Sequence, residues 1–294
     1  VTGSTPADLL RAALRADPGR PFLTCHDSAG RIELSYATFD NWVAKTANFL
    51  VDELAADPGD RVGLAVPVHW QSAAWLLACW SAGLTAVPLP PEGEPEPAAP
   101  VDVLVAGPAN LDRAVGSAAG RAARDLVGLS LHPLGLPLAD PPPGVVDYAA
   151  EVRGHGDHFA SAAPADPAAP ALEAAGEVLS AGRLAAGAAE TAARWNLEPG
   201  DRLALVDSPH APLLAPGGAP PLDWLLPPLA AGASSVLFLD ADTPGTAGAG
   251  RPAGVTRATA QAALGSRFGS ERITAILERA LGGSAPPAPV RQLR

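Results

Sequence analysis

The sequence predicts an α/β fold made of layered, mostly parallel sheet units, and three observations carry that prediction. Short continuous apolar runs, such as Arg61-Val62-Gly63-Leu64-Ala65-Val66 and Ser234-Ser235-Val236-Leu237-Phe238-Leu239, have the length and character of strands buried on both faces. Helical stretches alternate with these runs at the spacing of strand-helix-strand units, which calls for parallel pairing through right-handed crossovers. A turn and strand then recur: Asp57-Pro58-Gly59-Asp60 before the first run is repeated as Glu198-Pro199-Gly200-Asp201 before Arg202-Leu203-Ala204-Leu205-Val206. The 294 residues, 48% of them hydrophobic, suffice for one large domain or two ordinary ones.

Taken in order, Thr5-Pro6 ahead of Leu9, Leu10, Ala13 and Leu14 reads as an N-cap, a proline at the first helical position and an apolar face. Residues 21–25 and 31–34 flank Ser28-Ala29-Gly30, a hairpin signal. Over 38–54 the apolar residues Phe39, Trp42, Val43, Ala47, Leu50 and Leu54 recur at helical spacing, and Thr38, Asn41, Lys45, Asn48 and Asp52 form the solvent stripe. A helix over 72–82 stops at Gly83, and a strand follows at 85–89. The proline-rich stretch 90–100 is a surface loop, after which 101–106 resumes the sheet. Residues 121–131 give a helix and a short apolar segment, and 133–144 is again proline-rich. Residues 172–195 are alanine-rich and helical in propensity, with interior glycines that move the expected start past Gly182. A helix over 224–231, a stop at Gly232 and a strand over 234–239 follow. The organisation expected is a first α/β subdomain over 1–160, a second, partial one over 161–240, and a low-complexity tail over 241–294. That tail is expected to hold no packed element over 241–269 and one loosely docked helix, capped at Ser270 and faced by Ile273, Ile276, Leu277 and Ala280.

Charge and composition exclude several classes of function. A net charge of −11 opposes nucleic-acid binding, which needs a basic surface. Cys25 and Cys79 stand far apart without Cys-x-x-Cys spacing, so both read as reduced core residues. No apolar run has the length of a membrane span, and Val1-Thr2-Gly3-Ser4 does not look like a signal peptide, so a soluble cytoplasmic protein is expected. There is no Gly-x-Ser-x-Gly elbow, and Gly248-Ala249-Gly250 follows no strand that would make it a dinucleotide loop. His155-Gly156-Asp157-His158 has donors that suit zinc or nickel but no fourth ligand nearby; it reads as a solvated loop, and no metal is expected. Of the six tryptophans, Trp70 is the one expected outside the core.

The ordered series Leu34-Ser35-Tyr36, Phe39, Ala47, Leu50, Pro58-Gly59-Asp60-Arg61-Val62, Pro67, Ala82-Gly83 and Val87-Pro88-Leu89 resembles the first third of the AMP-binding, adenylate-forming superfamily, which includes acyl-CoA synthetases, peptide synthetase adenylation domains and luciferase. A second block resembles the segment after that family's phosphate loop: Pro199-Gly200-Asp201-Arg202-Leu203, Pro209-His210, Leu229-Ala230-Ala231-Gly232-Ala233 and Val236-Leu237-Phe238. The resemblance implies the α/β fold of the family's large N-terminal domain, cut short, and a Ser/Thr/Gly-rich loop ending in Pro-Lys-Gly around the ATP phosphates. In that place stands Pro170-Ala171-Leu172-Glu173-Ala174-Ala175-Gly176-Glu177-Val178-Leu179, with one glycine, no hydroxyl and two carboxylates that repel a triphosphate.

The family's Tyr-Gly-x-Thr-Glu and Gly-Asp segments and its C-terminal lysine have no counterpart, since tyrosine occurs only at 36 and 148 and lysine only at 45. The replaced segment is expected to be a fixed connector, with Leu172 and Leu179 buried and Glu173 and Glu177 in solvent. His210 matches a family position near the acyl pocket and is the candidate substrate-pocket residue; the plainer reading is a loop residue of Pro209-His210-Ala211-Pro212. Together these features imply a degenerate, non-catalytic member that uses no cofactor. It would bind a protein partner or a small acyl or nucleotide-like ligand in a remnant cleft. The alternative is an adenylate-forming ligase with an atypical ATP and magnesium site, or with a partner that supplies the missing lysine.

Overall fold

The computed structural model of the chain describes residues 3–27, 30–90, 99–161, 164–174, 176–214, 222–239, 266–277 and 291–293. Helix α1 (Pro6–Ala16) starts at a reciprocal cap in which the Thr5 hydroxyl accepts from the Asp8 N–H and the Asp8 carboxylate accepts from the Thr5 N–H. The antiparallel hairpin β1 (Pro21–Asp27) and β2 (Gly30–Ser35) leads into α2 (Tyr36–Asn48), capped by Ser35 and continued by a π-helical turn to Glu53. Strand β3 (Arg61–Ala65), helix α3 (Trp70–Ser81) and strand β4 (Thr85–Pro88) form a parallel unit. The chain continues through β5 (Val103–Ala106), α4 (Leu111–Gly116), α5 (Ala118–Ala122), β6 (Asp125–Gly128), β7 (Val145–Asp147) and α6 (Tyr148–Glu151). A second hairpin, β8 (Pro170–Ala174) and β9 (Glu177–Ser180), leads into α7 (Ala181–Arg194), β10 (Arg202–Val206), α8 (Leu226–Ala231), β11 (Ser234–Phe238), β12 (Ala275–Leu277) and β13 (Arg291–Leu293).

These strands build two sheets, one of six strands in the order β13-β12-β10-β11-β1-β2 and one of seven in the order β7-β6-β5-β3-β4-β8-β9. The two halves of the chain repeat one plan. Each has a hairpin that opens on a proline and is irregular just behind it, at Pro21/Leu23 and Pro170/Leu172. Each hairpin ends in a serine that caps a helix, Ser35 or Ser180. A Pro-Gly-Asp turn, a strand that starts with arginine, a helix, a glycine stop at positive φ (Gly83 at 77°, Gly232 at 65°) and a second strand complete each half. Matching backbone bonds place the second strand of each half: the Thr85 N–H donates to the Asp60 carbonyl, and the Ser234 N–H to the Asp201 carbonyl. The hairpins, however, are exchanged. Strand β1 pairs with β11 of the second half, and β8 pairs with β4 of the first.

Helix α3 runs through the core and is buried on every side from Trp70 to Trp80, as a helix apolar all round must be. Trp70 is therefore fully buried, edge-on to Trp42, and not the exposed exception that its position in the sequence suggests. The structure also corrects the reading of 172–180. The segment expected to be a plain connector is a hairpin, because β4 offers it an open edge and Gly176, at φ 80°, makes the turn, and helix α7 starts at Ala181, just ahead of the expected start past Gly182. Leu172 is fully buried as expected, but Leu179 is only half-buried. Glu173 does not face solvent; it grips Arg61 with two bonds, of 2.7 and 3.1 Å, while Glu177 is exposed. Its hairpin is held further by Trp80, whose Nε1–H donates to the Ala171 carbonyl at 2.7 Å.

Within the span 270–281 expected to be a helix, residues 275–277 are instead strand β12, parallel to β10, with Ala275, Ile276 and Leu277 buried. Ile276 and Leu277 suit either period, and the open edge of β10 decides between them. The loop residues 91–98, the tail over 240–265 and Ala280 lie outside the described residues. Before β12, the nearly buried Glu271 carboxylate takes two bonds from Arg31 (2.6 and 3.1 Å), one from Arg202 (2.8 Å) and one from His26 (2.9 Å). Arg31 is the largest influence holding the Glu271 carboxyl pKa down at about 2, against burial, which acts to raise it.

Two outcomes follow from this packing. Leu172→Ala should cost about 2–5 kcal/mol as a core truncation, Leu179→Ala less than half of that, Glu173→Ala about 1 kcal/mol and Glu177→Ala nearly nothing, as read by urea denaturation. Because the Glu271 carboxyl stays ionised in the fold down to about pH 2 but takes up its proton near 4.5 when unfolded, its stabilisation is complete above pH 4.5 and fades as pH falls toward 2. The stability gap between the native protein and Glu271→Gln should therefore shrink across that window in acid titrations of urea unfolding.

Candidate functional site

In each sheet the strand order reverses at one place. From β3 the chain moves to β4 on one side and returns with β5 on the other, and from β10 it moves to β11 and returns with β12. Loops leaving the carboxyl ends of such strands diverge, so a crevice forms there. The two crevices face each other, with the Val68 N–H donating to the Ala211 carbonyl at 2.8 Å and Pro67 bridged to Pro212. Between them lies a cavity of about 420 Å³. Its walls come from Asp27 at the end of β1, Pro67, Val68 and His69 after β3, residues 130–133 after β6, residues 137–139, Pro209 after β10 and Leu239 after β11.

One wall is held in a costly conformation. Leu131 sits at φ 52°, in the left-handed region, where a side chain is strained by about 1–2 kcal/mol. Its neighbours fix it: the Ser130 hydroxyl donates to the Leu136 carbonyl and accepts from the His132 N–H, and Gln71 donates to the His132 carbonyl at 3.0 Å.

His69 is the N-cap of α3. Its Nδ1 accepts from the Gln71 N–H at 3.3 Å, which places the imidazole proton on Nε2. Only 4% of the residue is exposed, and Nε2 has no hydrogen-bond partner among the described residues; Asp27 Oδ2 stands 3.9 Å away. Burial holds the His69 pKa below its ordinary value, against the Asp27 carboxylate, so the ring is neutral at pH 7. Asp27 is fixed from its other oxygen, Oδ1, which accepts from the Gly30 N–H at 3.0 Å.

Cys25, two residues before Asp27 on the same strand face, brings a thiol alongside, and one ligand atom from each of Cys25, Asp27 and His69 lies within 4.8 Å of the others. A sulfur, oxygen and nitrogen set of this kind suits zinc. Ligation through Nε2, however, needs the proton on Nδ1, which would break the helix cap.

The sequence reading did not find this cluster. Period-2 alternation puts Cys25 and Asp27 on one face, but His69 joins them only through the exchanged β1 strand. His210, the residue singled out from sequence, is exposed in the 207–212 loop; its N–H donates to the Ser208 hydroxyl, and its neighbour Pro209 is the one in the cavity wall. In the His155-Gly156-Asp157-His158 loop the donor side chains do not converge among the described residues. The loop is instead strapped to α2. Lys45 Nζ donates to the His155 carbonyl at 2.5 Å and pairs with Asp157 at 2.7 Å, Asn48 donates to the Gly156 and His158 carbonyls, and the His155 ring packs edge-on to Phe49. Lys45 and Asn48 thus leave the solvent stripe assigned to them, and the Lys45 side chain is 23% exposed.

Residues 10–99 match the family of AMP-binding enzymes. A TIGR03089 family protein of Mycobacterium tuberculosis (strain H37Rv) is 44% identical over 156 residues, which are 51% of this chain and 60% of that protein. Among solved structures, the anthranilate CoA ligase AuaEII in complex with anthranoyl-AMP superposes with a TM-score of 0.66 at 15% identity, over 95% of this chain and 50% of that one. An acyl-CoA synthetase of Brucella canis gives 0.67 at 17% identity, over 95% and 48%. The N-terminal domain of FACL13 from Mycobacterium tuberculosis gives 0.62 at 15% identity, over 93% and 62%. The chain thus spans about half the length of the first two structures and shares their fold. Among the described residues no helix is long and apolar enough to cross a membrane.

The cap assigns His69 a measurable structural role. His69→Ala should lose about 1 kcal/mol in urea denaturation, whereas His69→Asn, which keeps an N-cap acceptor, should lose clearly less.

Proposed function

Because residues 10–99 match the family of AMP-binding enzymes, we propose that the chain is a non-catalytic member of that superfamily, which keeps the scaffold and binds a small ligand where the carboxyl ends of its strands meet. The observation that carries this reading is the β8–β9 hairpin. Ala174 pairs with Glu177, so residues 175 and 176 alone join the two strands at the place where the resemblance implies a phosphate-wrapping loop. A turn of that length offers too few backbone N–H groups to surround a triphosphate, and Glu177 adds negative charge beside it. Lys45 supports the same reading, since its ammonium is committed to His155 and Asp157 and lines no part of the cavity. Adenylation needs a cation on the charge that develops as pyrophosphate leaves, and Lys45, so engaged, does not supply it at this cavity.

The test is twofold. Millimolar ATP with magnesium should leave the melting temperature unchanged, because a ligand stabilises only the state it binds. The protein should also give no acid-dependent ATP–pyrophosphate exchange with a panel of fatty, aryl and amino acids. Exchange above the no-enzyme control, or an ATP-dependent rise in melting temperature that vanishes on mutating 173–177, would make the protein an adenylate-forming ligase.

A further inference from the structure

We propose that the His69–Asp27 cavity binds a small apolar molecule through one uncharged head group that both accepts and donates a hydrogen bond, an alcohol or a primary amide. The proposal rests on the non-catalytic reading and names the ligand that reading leaves open. His69 lines the cavity, and its Nε2–H is a buried donor with no hydrogen-bond partner among the described residues. Leaving such a donor unpaired is costly, so the site is built for an acceptor.

Asp27 restricts what that acceptor is. Its Oδ2 stands 3.9 Å from Nε2, beyond direct bonding, so an atom that accepts from His69 also faces a carboxylate. A ligand carboxylate there meets like charge, and an ester or ketone oxygen turns a lone pair toward it. An ammonium suits Asp27 but leaves His69 without an acceptor. A hydroxyl accepts from His69 and turns its proton toward Asp27 through one oxygen, and a primary amide does the same through its carbonyl and its NH2. Val68, Leu131, Pro133, Leu138 and Leu239 make much of the remaining wall apolar, beside Ser130 and His132. A single water meets the polar demand but fills little of the 420 Å³, whereas the body of an organic ligand covers those walls. A metal on Cys25, Asp27 and His69 is opposed by the cap bond, which makes Nδ1 the acceptor.

The test titrates the whole chain calorimetrically with 2-naphthalenemethanol, 2-naphthamide and 2-naphthoate. The alcohol and the amide should bind, and the acid at least about tenfold more weakly. Asp27→Asn, which can still accept from Gly30 through Oδ1, should narrow the gap between acid and alcohol. His69→Asn, which keeps the helix cap, should weaken the alcohol and the amide by about fivefold or more while leaving the melting temperature close to native. The proposal is overturned if the acid binds as tightly as the alcohol, if none of the three binds, if His69→Asn changes nothing, or if the protein takes up one zinc that Cys25→Ala abolishes. Failure here with pyrophosphate exchange still silent removes this ligand class alone, whereas exchange activity removes the non-catalytic reading whatever the naphthyl probes do.

Discussion

Everything in this structure hangs on the reciprocal exchange of two hairpins. The run from Leu23 to His26 lies in parallel register with Ser235 to Phe238, so the sheet assembled mainly from the end of the chain is completed by its beginning. The converse pairing is short, a single register position at Ala86 and Leu172, and side chains reinforce it: Trp80 holds the Ala171 carbonyl, Thr85 the Pro170 carbonyl and Arg61 the Glu173 carboxylate. Without these pairings each half would present an open strand edge to solvent, with unpaired backbone groups along it. With them, the carboxyl ends of β1, β3, β10 and β11 converge, and that convergence brings Asp27 beside His69.

The two halves use the same device to anchor their outer strands. Arg61 and Arg202 each begin a central strand, and each meets a glutamate from a distant segment, Glu173 in one case and Glu271 in the other. The backbone N–H of each arginine is taken by a side chain that precedes the next strand, Asp102 or Thr274, and the backbone N–H of that residue donates back to the arginine's carbonyl. Pairs of this sort at a partly exposed surface add little energy individually. Glu271 differs because three cationic or imidazole groups surround a carboxylate that is itself nearly buried, so they fix the turn from which β12 departs.

Much of the scaffold was legible from local chemistry. Thr5-Pro6, the β1–β2 hairpin signal, the Pro-Gly-Asp turns and the stops at Gly83 and Gly232 each act through a few neighbouring residues, and the elements they mark stand where that chemistry places them. The misreadings share one cause, a decision made by a distant partner. Residues 172–180, read as a plain connector, become strands because β4 is open beside them. Residues 275–277 carry an apolar triplet with no preferred period, and β10 selects the strand. Trp70 looked like an outlier until α3 proved to be enclosed on all sides. The candidate site was hidden for the same reason, since Cys25-x-Asp27 and His69 carry no shared spacing, and His210 stood out through its position in a motif and not through its surroundings.

The exchanged hairpins also bear on how the protein comes into being. During synthesis the first hairpin emerges with its outer edge formed and its inner edge waiting for β11, which leaves the ribosome only after both central units have been made. Until then β1 is an apolar strand with nothing to dock on, and pairings so distant along the chain are slow to close. The nascent chain therefore carries a long-lived sticky edge, and cellular yield should depend on chaperone supply more than the finished fold's stability would suggest.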